Sequence, residues 1–385
     1  MSFATSPTSL ADMAEQSGLR RVHMLAWRDL ADDEAGGSEV HASTVARLWA
    51  EAGIEVTMRT SAAPGLPATA ERHGYNVIRR AGRFSVFPRG IAAEIAGRHG
   101  RRDGLVEIWN GVPWLSPVWA RGPKVTWLHH VHGPMWNQVL PRPFSTLGRL
   151  VEARLAPPFY RHQTTITLSE SSRSELLHHG FHADRVKVVP PGIDPTFSPG
   201  GEKADHPLIV AVGRLMPVKS LDVLISAIAP LAAAFPGLEL VIVGEGAERA
   251  RLTSIIDALP NPSVVRLAGR IDTNDLVRLY RRAWLLTSAS IAEGWGMTIT
   301  EAAACGTPAV VTDIGGHRDA VVNGRSGILA APADLADAVA RVLGDASLRA
   351  DLGTGALARA TELTWHQTAL RTFGHLADTT IGAIH

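Results

Sequence analysis

Short apolar runs alternate with stretches of helical periodicity along the whole chain, the pattern of parallel α/β sheets. Val22–Trp27 reads as a first strand. Ser38–Ala52 reads as a helix, with Val40, Ala42, Val45, Leu48 and Trp49 apolar at helical spacing. Ile54–Met58 is predicted as a second strand, and further strands are predicted at Leu105–Trp109, Val125–Leu128, Thr164–Leu168 and Val186–Val189. Prolines and glycines crowd the segment VVPPGIDPTFSPGG, Val188 to Gly201, which can continue neither a helix nor a central strand. A second series follows: strand Leu208–Val212, helix Ser220–Phe235, strand Leu238–Val243, helix Ala247–Ala258, strands Val264–Leu267 and Trp284–Thr287, a helix near Met297–Cys305, and strand Ala309–Thr312. Trp365–His385 closes the chain as a helix with Ala369, Phe373, Leu376 and Ala377 on one face. The pattern predicts two sequential α/β domains, residues 1–190 and 205–364, joined by a linker at 191–204.

Composition sharpens this. A length of 385 residues suits two or three domains, and 45% hydrophobic with 19% charged residues excludes a wholly disordered chain. No run of 18 apolar residues predicts a membrane span, and residues 1–20 lack the apolar core of a secretory signal, so a cytoplasmic protein is expected. Cys305 is the single cysteine, which leaves no intramolecular disulfide or multi-cysteine metal site, and it is expected as a small buried hydrophobe. The net charge of +1 argues against a nucleic-acid partner. That total hides an asymmetry, since residues 72–161 carry 14 Lys or Arg against four acids. The stretch reads either as a surface for an anionic partner or as the solvated charge of an arginine-rich chain.

The densest candidate chemistry lies between Ser288 and Gly316. Glu293 and Glu301 flank Gly294-Trp295-Gly296 and a helix predicted to start at Met297 or Thr298. Glycines ahead of a helix let the backbone approach a phosphate, which the free N–H groups of the helix start then bind. Two carboxylates beside that point can accept hydrogen bonds from hydroxyls, a layout that suits a nucleotide sugar. In VGRLMPVKSLDVL, Arg214 and Lys219 lie in a strand-to-helix loop and can clamp a diphosphate. VGEGAER, Val243 to Arg249, resembles the start of a dinucleotide fingerprint. Arg249 occupies its third glycine position, and no ribose-binding acid follows at the expected spacing, so no nicotinamide or flavin site is expected.

Taken together, EGWGMTITE, EAAACGTPAVVT, VGRL with Lys219, VGEG and the PPGID segment resemble the family 4 glycosyltransferases, over the whole second domain and several points of the first. The resemblance implies the GT-B fold: two Rossmann-like domains facing across a cleft, retention of anomeric configuration, and no obligatory metal. It implies that residues 1–190 bind the acceptor, that 205–364 bind the nucleotide-sugar donor, and that the 365–385 helix crosses back to pack on the first domain. It assigns Arg214 and Lys219 to the diphosphate, Glu293 to sugar hydroxyls, the backbone of Gly294, Trp295, Gly296, Met297 and Thr298 to sugar and phosphate, and Glu301 to the ribose.

In the first domain, Gly36 and Gly37 precede Ser38 and Glu39 at the start of a helix. Paired glycines here resemble the family's loop over the donor diphosphate, with Gly37 on the donor and Gly36 bordering the acceptor. Glu39 either binds an acceptor hydroxyl or complements the helix dipole. The Asp32-Asp33-Glu34 run reads as a solvated loop. LHHVHGPMW carries His129, His130 and His132 after a strand. Three histidines invite a zinc reading, but no other ligand set accompanies them and no metal is expected. The resemblance places a histidine of this segment beside the anomeric carbon, and His132 is chosen over His130. Trp109, Trp114, Trp119, Trp127 and Trp136 are expected mostly in the core, with one or two left for stacking on a sugar or touching a lipid tail.

No Asp-x-Asp metal motif occurs. No carboxylate stands out as a nucleophile on the β-face of the sugar either, so front-face displacement is expected; the resemblance implies a hexose donor, and no cofactor is expected beyond the sugar-nucleotide substrate. The acceptor is open between a small molecule, a lipid and a glycan, and the basic stretch leaves open peripheral contact with the inner face of an anionic membrane. A nucleotide-sugar 2-epimerase of the same fold and a non-catalytic nucleotide-sugar-binding protein are the alternatives.

Overall fold

A computed structural model of the chain describes residues 9–33, 35–133, 136 and 141–381. The chain divides into two compact units, one of residues 1–192 with 365–385, the other of residues 193–364. The segment read as a linker between 191 and 204 is mostly part of the second unit. Ala204 N–H donates to the Arg282 carbonyl, and Arg281 holds both the carbonyl and the hydroxyl of Ser198.

The strands of the first unit are β1 (Arg21–Leu25), β2 (Glu55–Thr60), β3 (Thr69–Arg72), β4 (Tyr75–Arg79), β5 (Gly104–Trp109), β6 (Lys124–Leu128), β7 (Thr165–Thr167) and β8 (Val186–Val188). They form one sheet in the order β3-β4-β2-β1-β5-β6-β7-β8, parallel throughout except for the β3–β4 hairpin at its edge. Strands buried on both faces read as continuous apolar runs, which is why β1, β5 and β6 stand out in the sequence. The Gly37–Glu51 helix packs Ala42, Val45, Ala46 and Trp49 into the core of this unit.

The Trp365–Ile381 helix joins that core through Ala369, Phe373 and Leu376, with Ala377 packed at its margin. Trp49 Nε1 donates to the Ala369 carbonyl at 3.0 Å. Burying Phe373 and Leu376 completely is worth about 2 kcal/mol each. The apolar stripe of this last helix therefore belongs to the first unit, as the resemblance implied; residues 382–385 lie outside the described residues.

The second unit holds β9 (Leu208–Val212), β10 (Glu239–Val243), β11 (Val265–Gly269), β12 (Leu285–Ser288), β13 (Ala309–Thr312) and β14 (Gly327–Ala330). Its sheet is wholly parallel in the order β11-β10-β9-β12-β13-β14. The order reverses direction between β9 and β12, and in such sheets ligands bind beyond the carboxyl ends of the strands at that point.

Four of the five clustered tryptophans (Trp109, Trp114, Trp127 and Trp136) are buried, and Trp119 is partly so. Cys305 is buried at a helix end, as expected. Among the described residues no helix is long and apolar enough to cross a membrane.

Candidate active site

The loops after β9 and β12 meet at the switch point of the second sheet. After β9 the chain turns through Gly213, a short 3-10 turn at Pro217–Lys219 and a left-handed Ser220 into the Leu221–Ile228 helix. Lys219 folds back over Gly213, where a Cβ would lie 3.2 Å from its Cε. Its Nζ donates to Glu293 Oε1 in the loop after β12. Glu293 also accepts from Ser290 Oγ at 2.8 Å. Burial pushes the Glu293 carboxyl up, but the charge and hydrogen bond of Lys219, with help from His317 and Ser290, hold it below the ordinary range.

Below this pair is a polar support that the sequence did not reveal. Thr312 Oγ1 donates to the Ser290 carbonyl at 2.7 Å, and His317 Nδ1 donates to the Thr312 carbonyl at 2.7 Å. Burial lowers the His317 pKa, against a smaller upward pull from Glu293. The IGGH run after β13 was the available signal, because Gly316 is sterically required. A Cβ there would lie 2.4 Å from the Glu293 carbonyl oxygen and 2.8 Å from Trp295 N.

Gly296, at φ 98°, caps the Met297–Ala304 helix, as the sequence predicted. Ile299 N–H already returns to the Gly296 carbonyl, so the Met297 and Thr298 N–H groups are those without an intrahelical acceptor. The Trp295 side chain is buried and lies under the Arg359 guanidinium, so it offers only backbone to a ligand in the loop. Glu301, one turn into the helix, accepts from Tyr280 Oη at 3.3 Å. Burial pushes its carboxyl up to about 7, with Tyr280 opposing and Asp194 adding to the rise. Arg214 is exposed, and among the described residues its side chain makes no hydrogen bond or ion pair. The structure therefore joins Lys219 to Glu293 directly, and holds Glu301 in the helix whose start lies beside Glu293.

The glycines of VGEG serve packing. A Cβ on Gly244 would lie 2.0 Å from the Gly213 carbonyl oxygen, and one on Gly246 2.4 Å from that of Leu215. Leu215 N–H donates to the Glu245 carbonyl, and Glu248 N–H to that of Leu215. Two bare loops thus lock together and fix the turn that carries Arg214.

The first unit presents its own candidates at the carboxyl ends of β1 and β6. Gly36 is the N-cap of the Gly37–Glu51 helix, and its N–H donates to Glu39 Oε2 at 2.8 Å. Arg28 Nε donates to Glu39 Oε1 at 3.3 Å. With both oxygens engaged and the side chain buried, Glu39 has the geometry of a helix cap. Glu34 lies outside the described residues.

His132 is buried, its Nδ1 3.5 Å from Glu152 Oε1, its ring stacked on His130 and tilted against Trp136. Glu152 also accepts from the backbone N–H groups of His132 and Gly133 and from Trp136 Nε1, all within 3.0 Å. Burial raises the Glu152 pKa, but His132 and the two backbone donors outweigh it and hold it low. His129 turns away to Ser38 Oγ and His41. Burial pushes His41 down to about 3 and His129 well below its ordinary value. His129, His130 and His132 do not bring their ligand atoms together in one cluster with other His, Asp, Glu or Cys among the described residues. Among the described residues His23, Glu94 and His99 have ligand atoms within 4.8 Å of one another, and there Arg102 Nε already holds Glu94 Oε2 at 3.0 Å.

Residues 35–197 match the family model described as Glycosyltransferase Family 4, and residues 193–359 match that of Glycosyl transferases group 1. D-inositol 3-phosphate glycosyltransferase from Frankia alni is 31% identical over 89% of this chain and 95% of its own length. The protein of that name from Acidothermus cellulolyticus is 30% identical over 87% and 84%. Among solved structures, sucrose-phosphate synthase from Thermosynechococcus elongatus superposes with a TM-score of 0.79 at 22% identity, covering 94% of this chain and 100% of that one. Anabaena HepE in complex with UDP-glucose gives 0.71 at 19% identity, over 94% and 99%. On these matches and this fold, the chain belongs to the family 4 glycosyltransferases and is a glycosyltransferase of GT-B fold.

Proposed function

We propose that this enzyme transfers a hexose from a nucleoside diphosphate sugar to a hydroxyl of a small phosphorylated acceptor, with retention at the anomeric carbon. The observation that carries the reading is the Lys219–Glu293 pair at the switch point of the second sheet, beside the Gly296-capped helix. In the ligand-free chain Lys219 neutralises Glu293. A donor diphosphate is the stronger anion and would draw Lys219 and the free Arg214 to itself, releasing Glu293 to accept hydrogen bonds from sugar hydroxyls. The Met297 and Thr298 N–H groups would take phosphate oxygens, and Glu301 the ribose hydroxyls.

Leaving-group charge is then stabilised by two cations and a helix start, with no step that needs a metal. The acceptor hydroxyl attacks from the face the diphosphate leaves, the glycosidic C–O bond forms as the C–O bond to phosphate breaks, and a phosphate oxygen takes the proton. His132 is the first unit's candidate for the sugar, held in place by Glu152. UDP is favoured as the carrier because the similar HepE binds UDP-glucose, and a phosphorylated cyclic polyol as the acceptor because the relatives are named for one. Thermal-shift screening of UDP, GDP and ADP, followed by transfer to inositol 3-phosphate with NMR of the product's anomeric proton, tests the reading. No response to any nucleotide, or an inverted product, refutes it.

A further inference from the structure

Five of the large apolar side chains most exposed to solvent fall within sixteen residues of the first unit: Phe144, Leu147, Leu150, Leu155 and Phe159, each between 42% and 60% exposed. They lie on three consecutive helical pieces, Phe144–Leu150, a π-helical turn at Val151–Leu155, and Pro157–Tyr160. The inward face is fully accounted for. Ser145, Glu152, Ala156 and Tyr160 are buried, and Gly148 sits so close to Trp136 that a Cβ would come within 2.7 Å of its ring. Glu152 is tied to His132, Gly133 and Trp136. These inward contacts fix the phase of the helices, so the apolar side chains are held outward by the fold.

Cations are interspersed with these apolar side chains along the segment. Arg142, Arg154 and Arg161 are exposed and Arg149 is half-buried, and among the described residues none of their side chains forms an ion pair. The only acid from residue 121 to 169 is the buried Glu152. Outward apolar side chains interspersed with uncompensated arginines match an anionic lipid surface, where acyl chains take the apolar groups and headgroups the guanidinium ions. A second copy of this chain is a poor occupant, because an isologous contact would set these arginines against their own copies. We propose that residues 142–161 dock this enzyme on an anionic bilayer surface, a property that goes beyond the transfer reaction and does not depend on it.

The experiment is flotation of the full-length protein with phosphatidylcholine vesicles, with and without phosphatidylglycerol, at low and high salt. The expected result is co-flotation with the anionic vesicles only, weakened by salt. Phe144→Ser/Leu147→Ser/Phe159→Ser is expected to abolish it. Arg142→Gln/Arg154→Gln/Arg161→Gln touches no buried group and is expected to raise the lipid concentration for half-binding on the order of a hundredfold, at ~1 kcal/mol per cation. Ile95→Ser/Arg98→Gln/Arg101→Gln alters a second exposed apolar-basic site and is expected to change nothing. Failure of the wild-type protein to float, or flotation that survives the arginine substitutions, overturns the proposal. So does a wild-type dimer in light scattering that the apolar substitutions dissolve, since that assigns the face to a second copy.

Discussion

Glu301→Gln separates stability from function at one atom pair. Burial holds the Glu301 carboxyl at about 7, against 4.5 for an ordinary glutamate, while the Tyr280 hydroxyl at 3.3 Å only partly offsets the desolvation. Between those two values the folded chain binds more protons than the unfolded one, so stability falls as pH rises through the window and levels off above it. A displacement of that size corresponds to roughly 3 kcal/mol of lost stability above pH 7 at ~1.4 kcal/mol per pH unit. Glutamine keeps an acceptor for Tyr280 and never ionises. Its melting curve is expected to match the wild type near pH 4.5, and to lie several degrees higher at pH 8. Donor affinity is expected to move the other way, because a carboxylate accepts from ribose hydroxyls more strongly than an amide does. Losing a charged hydrogen bond of about 1.5–3 kcal/mol predicts a rise in donor KM of roughly 10- to 150-fold. In the wild type, hydroxyl donors favour the ionised form, so UDP affinity is expected to tighten between pH 6 and pH 8 and release a proton on binding. Calorimetry in buffers of different ionisation enthalpy measures that proton. A variant that is no more stable at pH 8, or one with unchanged donor KM, refutes the argument.

Lys219→Ala is expected to lower kcat/KM for transfer by about two to three orders of magnitude, as for loss of one charge stabiliser of a leaving group. The same change removes what holds Glu293 ionised, so the residual activity should fall off at a higher pH than in the wild type as the medium is acidified, which a pH–rate profile would show. Gly316→Ala places a Cβ 2.4 Å from the Glu293 carbonyl and is expected to cost about 1–3 kcal/mol of stability and to weaken UDP binding, read by thermal shift. Glu152→Gln puts an amide NH₂ in place of one of the two oxygens that together accept from three N–H donors; kcat should fall while the UDP-induced thermal shift of the second unit stays unchanged.

The sheets were legible because their central strands are continuous apolar runs, and Leu208–Val212 and Ala309–Thr312 coincide with their observed limits. The β3–β4 hairpin was not, since Thr69–Arg72 is polar and half-exposed at a sheet edge. Its signal was local: His73-Gly74, both at positive φ, form a two-residue turn. In the candidate site, Lys219, Glu293, Gly296 and Glu301 were singled out from their local motifs, but the Lys219–Glu293 contact between two loops was not legible. Nor were the groups that act through distant partners. Ser290, Thr312 and His317 form one hydrogen-bonded support only once β12 and β13 lie side by side, and Glu152 reaches His132 across 20 residues. Glu39 was ambiguous because a capping acid and a ligand acid occupy the same sequence position; the separating observation is Arg28 on its second oxygen.

The basic stretch shows why a charge count cannot locate a partner. Of the eight arginines between 72 and 102, Arg72 and Arg79 are held by Asp29, a fully buried acid that lies outside the stretch in sequence, and Arg102 by Glu94, while Arg98 and Arg101 stay exposed. The paired charges are internal struts that hold the loop after β1 and the Val86–Ile95 helix. Their contribution to the field outside the protein is largely cancelled. The arginines at 142–161 have no such acids, and the apolar side chains between them are turned outward by Gly148 and Glu152. Charges within one basic stretch therefore do different physical work. Burial and pairing, which the sequence does not display, decide which of them can recognise anything outside the protein.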